Sequence, residues 1–195
     1  MNEQMNKQQG GDLYFDVVII GGGIVGLSFA NELADSDFSV AVIERDALKD
    51  IGEQTDCRVS AINRFALQRF EGTGVFNSSL AQRVCAFEKM FVWDKAGAGQ
   101  IQFDSAELGV AELGAIIENT VLQQMLFAKV KAAENISVFC PQQIAKINYP
   151  LVAHEVEEND ADARRQGADK TQLSASIELT SANTIHTALL VGADG

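Results

Sequence analysis

Four residues near the start of this chain have the types and spacing for binding chemistry: Gly21, Gly23 and Gly26, followed about twenty residues on by Glu44. Gly21 permits a tight turn, Gly23 lets the backbone approach a pyrophosphate, and Gly26 lets a helix pack closely on the strand before it. Glu44 ends an apolar run, where its carboxylate can accept hydrogen bonds from ribose hydroxyls and would repel a 2′-phosphate. A second acid, Asp194 in Gly192-Ala193-Asp194-Gly195, is another place where backbone and carboxylate could meet a cofactor; the plainer reading is a terminal turn. The remaining reactive residue types offer less. Cys57, Cys85 and Cys140 are far apart and lack metal-ligand spacing, and His154 and His186 are the only histidines. Neither a metal site nor a Ser-His-Asp triad has the material, and no catalytic acid or base is assigned.

Positioning the glycines and Glu44 requires a βαβ unit. Val17 to Ile20 is β-branched and nearly unbroken, as in a strand buried on both faces of a parallel sheet. Leu27, Ala30, Leu33 and Ala34 recur at helical spacing, so the next segment can rest one face on that sheet and point its N-terminus at phosphates. Phe38 to Ile43 is the second strand and delivers Glu44. Ordinary strand-to-helix turns also use glycines, but a strand before, a helix after and an acid at this distance together read as dinucleotide binding. Where such units commonly place glycine between helix and second strand, this chain has Asp35-Ser36-Asp37; aspartate tolerates left-handed backbone geometry.

The 195 residues suffice for one large domain, and 47% hydrophobic content for a sizeable core. A net charge of -12 argues against a nucleic-acid partner and against an electrostatic grip on anionic lipid. No apolar run is long enough to span a bilayer and no secretory signal opens the chain, so a cytoplasmic location is expected. Odd, scattered cysteines fit a reducing compartment. The polar first residues, 1–13, read as a disordered tail.

Farther along, Ser60 reads as the N-cap of a helix over Ala61 to Phe70, with Ile62, Phe65, Ala66 and Arg69 on one side and Gly72 and Gly74 closing it. Val84 to Glu88, Met90 to Asp94 and Gln100 to Asp104 read as short strands of an inserted antiparallel patch, with Leu113 to Ile117 as a further strand. Asn119 to Ala133 is an amphipathic helix with Val121, Leu122, Met125, Leu126 and Val130 on its apolar face; Ile136 to Phe139 is a third parallel strand. Gln142 to Val152 and Gln172 to Leu179 read as two arms of a hairpin around a solvated, charged loop over 155–170, and Ala188 to Val191 as a final strand.

Taken in order, these segments resemble the N-terminal half of class A FAD-dependent monooxygenases, most of all the ubiquinone-biosynthesis hydroxylases. The residues carrying the resemblance are Gly21 to Gly26 with Glu44-Arg45, Arg58-Val59-Ser60-Ala61-Ile62, Val92-Trp93-Asp94, Ile117-Glu118-Asn119 with Leu122 and Leu126, and Gly192-Ala193-Asp194-Gly195. It implies an α/β fold: a Rossmann-like FAD-binding parallel sheet with an inserted antiparallel β patch and a β-hairpin, truncated relative to the family. Residues 14–195 would form the FAD-binding domain, with 84–117 opening the substrate-side β region. It also implies cofactor contacts from Gly21, Gly23, Gly26, Glu44, Arg45, Arg58, Asn119 and Asp194, with Glu44 on the adenosine ribose and Arg58 near the pyrophosphate or nicotinamide path. Asn119 replaces the arginine or glutamine often found at its position.

The implied chemistry is reduction of FAD by NAD(P)H and oxygen-dependent hydroxylation of a polyprenylated phenol or quinol. Peripheral contact with the inner membrane, association with other ubiquinone-biosynthesis proteins and homo-oligomerisation stay open as partners. About half of such an enzyme would be missing, leaving apolar surface on the parallel sheet uncovered. Two other readings remain: a non-catalytic FAD-binding fragment, and an NAD-dependent dehydrogenase, since a first βαβ unit alone does not separate NAD from FAD.

Overall fold

The computed structural model describes residues 11–52, 55–76, 81–149 and 175–194. In chain order its elements are β1 (Asp12–Ile20), α1 (Ile24–Glu32), β2 (Val40–Ile43), β3 (Val59–Asn63), α2 (Arg64–Gly72), β4 (Val84–Phe87), β5 (Lys89–Trp93), β6 (Gln100–Asp104), β7 (Gly114–Glu118), α3 (Asn119–Ala132), β8 (Ile136–Phe139), β9 (Ile144–Asn148), β10 (Ala175–Leu179) and β11 (Thr184–Gly192). They divide into two compact units, one built from 1–47 and 133–195, the other from 48–132. The charged stretch 155–170, the parts of the expected arms at 150–152 and 172–174, His154 and Gly195 lie outside the described residues.

The first unit is a six-stranded sheet in the order β8-β2-β1-β11-β10-β9. β1 pairs in parallel with β2 on one side and with β11 on the other, and β8 extends the parallel run beyond β2. β1 starts at Asp12, inside the segment expected as tail, because residues 12–16 alternate in burial and Asp12 to Phe15 pair with Thr184 to Thr187; only Val17, Val18 and Ile19 are buried without a break. An unbroken apolar run marks just the part of a strand covered on both faces, so the alternating part escaped the pattern. One face of the sheet is packed with Val18, Ala41, Ile43, Ile177, Leu179 and Ile185, joined by Phe15, Phe139 and Ile144. Burial of each such aliphatic side chain contributes about 1.5–3 kcal/mol. β9 and β10 form the expected antiparallel pair, with Ile177 opposite Ile147.

α1 is shorter than its periodicity suggests. It buries Gly26, Leu27, Ala30 and Asn31 and ends at Glu32, with Leu33 as its C-cap and Leu33 and Ala34 only partly buried. Asp35 takes the left-handed conformation (φ 61°), as expected of an acid standing where glycine is common. Asn135 holds that turn: its Nδ2 donates to the carbonyls of Leu33 and Phe38, each at 2.9 Å, while its Oδ1 accepts from the Asp35 amide at 3.2 Å. Asp16 ties the strand starts together by accepting from the Ser39 amide (2.8 Å) and hydroxyl (2.7 Å).

The second unit holds an antiparallel sheet in the order β3-β7-β4, the separate hairpin β5-β6, and helices α2 and α3. The helix start at Ser60 is corrected: Val59 to Asn63 is a strand paired with Gly114 to Glu118, and the cap is Asn63, whose Oδ1 accepts from the Ala66 amide at 2.9 Å. Both serine and asparagine suit an N-cap, and the β-branched Val59 and Ile62 together with the partner strand decide for the later start. The buried face of α2 is accordingly Leu67 and Phe70, while Phe65 is 74% exposed. α2 closes as expected, at Gly72, with Gly74 left-handed (φ 70°). α3 buries Val121, Leu122, Met125, Leu126 and Val130, the stripe its sequence announces. The hairpin β5-β6 leaves apolar side chains open to solvent, Met90 and Val92 opposite Phe103 and Ile101, and Trp93 68% exposed.

Candidate functional site

β1, β2 and β11 end at one level: Ile20 stands beside Ile43 on one side and Gly192 on the other. The chain leaves β1 through Gly21, whose φ of 107° and whose amide bond to the Ile43 carbonyl (2.8 Å) turn it sharply. A side chain at Gly21 would run into the backbone of Ala193 and Asp194, and one at Gly26 into the Gly21 carbonyl. Ala193 itself is held by its amide on the Ile20 carbonyl at 2.7 Å. The turn therefore needs glycine for conformation at Gly21 and for clearance at Gly26. At Gly23, by contrast, a Cβ would meet open space.

α1 begins at that open point. Gly23 is its N-cap in extended conformation; no side chain caps the helix and no acid sits in its first turn. The first-turn amides are thus left for water or a ligand, with the positive end of the helix dipole behind them. Glu44, one residue past β2, faces the turn. Its Oε2 accepts from the Gly22 amide at 2.6 Å and its Oε1 from the Asp46 amide at 2.8 Å. A carboxylate offers about four acceptor positions, so each oxygen keeps roughly one for a further donor.

These parts surround a cavity of about 530 Å³ lined by Gly21, Gly23, Ile24 and Val25 on one side, Glu44 and Arg45 on another, and Gln142, Gln143, Ile144 and Asp194 on the rest. Arg45 is exposed and paired with Asp46 at 3.2 Å, a hydrogen bond that holds its guanidinium above the ordinary range. Gln142 to Ile144 were not singled out from the sequence. The Gln142 amide donates to the Glu44 carbonyl at 2.7 Å, so the chain leaving β8 is fastened beside the chain leaving β2. Their one readable signal is position, directly after a third parallel strand and at the carboxyl edge where ligands of such sheets bind.

Arg58 and Asn119 lie in the second unit and are brought together there. The Asn119 amide donates to the Arg58 carbonyl at 2.9 Å, and Ser60 Oγ donates to Asn119 Oδ1 at 2.6 Å. Beneath them Arg83 forms a fork on Glu118, Nε to Oε1 at 2.7 Å and Nη2 to Oε2 at 2.6 Å. That bond, and a second from the Asp56 amide, hold the buried Glu118 carboxyl below its usual range against the opposing effect of burial. Asp56 is lowered too, first by the Arg58 amide and next by the Thr120 hydroxyl. Arg83 was not singled out from the sequence, and Glu118 only as part of Ile117-Glu118-Asn119, with no sign there of a partner to either.

Among the described residues no cluster of histidine, cysteine and acidic side chains is placed to hold a metal ion, and no helix is long and apolar enough to cross a membrane. None of the three cysteines forms a disulfide.

Comparison with known proteins gives these features a context. Residues 16–98 match the FAD dependent oxidoreductase family. The ubiquinone biosynthesis monooxygenase COQ6 of Dictyostelium discoideum is 26% identical over 209 aligned positions, covering 100% of this chain and 39% of its own length. The 3-demethoxyubiquinol 3-hydroxylase of Escherichia coli is 30% identical, covering 92% of this chain and 41% of its own. The chain thus spans about two fifths of the relatives it matches. The fold is shared with PqsL of Pseudomonas aeruginosa (TM-score 0.64 for a mutant form, 16% identity, 93% of this chain and 43% of that one) and with p-nitrophenol 4-monooxygenase PnpA of Pseudomonas putida (0.61, 14%, 93% and 41%). A parallel sheet with inserted antiparallel strands, a glycine turn facing an acid, and these likenesses converge: the chain is related to the FAD-dependent oxidoreductases, and among them to the monooxygenases of ubiquinone biosynthesis.

Proposed function

We propose that this chain is the FAD-binding part of a flavin-dependent aromatic hydroxylase that uses NAD(P)H and oxygen to hydroxylate a polyprenylated phenol or quinol. The observation that carries the reading is the fixed placement of Glu44 against the uncapped N-terminus of α1, across a cavity wide enough for a nucleotide. The turn from Gly21 to Gly26 and the first amides of α1 receive the pyrophosphate. Glu44 accepts the two ribose hydroxyls with the acceptor positions that Gly22 and Asp46 leave over. Arg45 and Asp194 flank the nucleotide, and Gln142 to Ile144 wall the side toward its base. Arg58 and Asn119 are assigned to the same cofactor by their place in the family pattern.

When bound, FAD supplies two-electron transfer from NAD(P)H and the activation of oxygen; this chain's residues bind it, orient it and exclude water around it. The relatives' names support a quinol-type substrate, and a polyprenylated quinol dissolved in lipid would be reached by peripheral contact with a membrane.

The test is a titration of the purified chain with FAD, following flavin fluorescence and the thermal midpoint together. Saturable quenching with a raised midpoint is expected, about 2.7 kcal/mol of added stability at a hundredfold excess over Kd. A folded chain that binds NAD but no flavin overturns the reading. Oxygen uptake dependent on NAD(P)H and stimulated by a prenylated phenol, in a protein of the relatives' full length carrying this segment, tests the hydroxylase activity.

A further inference from the structure

We propose that the Arg83–Glu118 pair is a positioning device that sets the segment carrying Arg58 against the start of α3, and so places the Arg58 guanidinium for the cofactor. The proposal rests on the assignment of Arg58 to FAD made above.

The connections run outward from one buried carboxylate. The Glu118 side chain is 5% exposed and ends β7, and Arg83 grips it with two parallel bonds while giving its remaining Nη1 to the Gly52 carbonyl at 2.7 Å. Glu118 Oε2 also accepts from the Asp56 amide at 2.7 Å. Asp56 passes the constraint on: one of its oxygens accepts from the Arg58 amide and the other from Thr120 Oγ1, each at 3.1 Å. The Arg58 carbonyl then receives the Asn119 amide at 2.9 Å. Two of these bonds use the backbone of Arg58, its amide on Asp56 and its carbonyl under Asn119, and none of them engages its guanidinium.

Stability is a poor explanation for such an arrangement. Withdrawing two charges from water costs about as much as their attraction returns, and apolar residues of similar size often do as well or better. What a forked ion pair supplies and apolar packing does not is direction, since its planar groups accept little variation in angle. The device is spent on Gly52, Asp56 and Arg58, which lie in no helix or strand.

The experiment is a double-mutant cycle on FAD affinity in the full chain, with Arg58→Ala, the pair replacement Arg83→Met with Glu118→Leu, and the three changes combined. Arg58→Ala and the pair replacement are each expected to weaken FAD about tenfold, and the combination to weaken it no further. Pair replacement with neutral Gln in place of Leu at 118, which still offers an oxygen to the Asp56 amide, is expected to recover part of the loss. A pair replacement that binds FAD like the parent, or losses that multiply to about a hundredfold in the combination, overturn the positioning role. An Arg58→Ala chain with unchanged affinity overturns the assignment of Arg58 to the cofactor, and the positioning role with it. Should the Met/Leu chain fail to melt cooperatively, Glu118→Gln alone enters the same cycle under the same criteria.

Discussion

Replacing Glu44 by glutamine separates the turn-fastening role that the structure shows for this side chain from the ribose-binding role proposed for it. In the chain without cofactor the carboxylate fastens the glycine turn through the Gly22 amide at 2.6 Å and turns the following backbone through the Asp46 amide at 2.8 Å. A glutamine oxygen can keep the first bond, but its NH₂ group presents a donor to the second. Loss of that exposed bond costs about 1 kcal/mol, which in a chain of this size lowers the thermal midpoint by about 2–4 °C. The nucleotide loses more. Two ribose hydroxyls that would donate to a charged acceptor meet instead a neutral group with one oxygen already engaged, a deficit of about 2 kcal/mol. That corresponds to about a thirtyfold rise in Kd. Both quantities come from one set of samples, the midpoint by circular dichroism and the Kd by flavin fluorescence quenching. If the Kd stays within about threefold of the parent while the midpoint falls, Glu44 is a latch for the turn and the reasoning about ribose recognition is wrong.

Gly26→Ala drives a methyl group into the Gly21 carbonyl and to 3.3 Å from the Ala193 Cβ; a loss of about 1–3 kcal/mol in urea melts and no measurable FAD quenching are expected. Asn135→Ala removes the bonds that pin the turn after α1, and a drop of about 2–3 kcal/mol should appear in thermal melts without a change in the carboxylate-to-ribose contacts that set FAD affinity. For pH, the lowered Glu118 carboxyl means that the folded chain binds its proton less readily than the unfolded one. Its stabilisation is therefore complete above the unfolded value of about 4.3 and is lost as pH falls through the lower folded value. Urea melts of the parent and of Glu118→Gln should differ at pH 7 and converge in acid; a gap that stays constant down to pH 3 would refute the ion-pair account.

How far the sequence announces this structure depends on whether a feature is local. The βαβ core is legible because a run buried on both faces, a glycine turn and an acid at the next strand end each leave a mark in a short window. Asp35 is legible for the same reason: its left-handed backbone is a choice among residue types at one position. The start of α2 is not, because Ser60 and Asn63 are both good caps and the choice is made by β7, more than fifty positions away in the chain, pairing with Val59 to Asn63. Gln142 to Ile144 join the cavity only because β8 lies beside β2, an adjacency that no local pattern encodes. Glu118 stands in the Ile117-Glu118-Asn119 motif, but its partner Arg83, directly ahead of β4, comes to it through the pairing of β4 with β7.

The charge distribution around the cavity resolves an apparent conflict between an acidic chain and an anionic ligand. The chain carries a net charge of -12, and two of its carboxylates, Glu44 and Asp194, line the cavity against one arginine already paired to Asp46. Side-chain charge among the described residues that line the cavity is therefore not what attracts a pyrophosphate. The remaining source is the backbone: first-turn amides of α1 with no side-chain cap, aligned with the helix dipole and brought close to the ligand by the absence of side chains at Gly21 and Gly23. Such donors act only at short range and only if the turn is held still. That is the physical reason for placing a carboxylate beside an anion site. Glu44 spends one oxygen position on fixing the Gly22 amide, which steadies the neighbouring donors, and in the proposed complex its negative charge would be directed at the turn's own N–H and at neutral hydroxyls instead of at phosphate oxygens. An acid is thus compatible with phosphate binding here because the fold separates where its charge is used from where the ligand's charge is met.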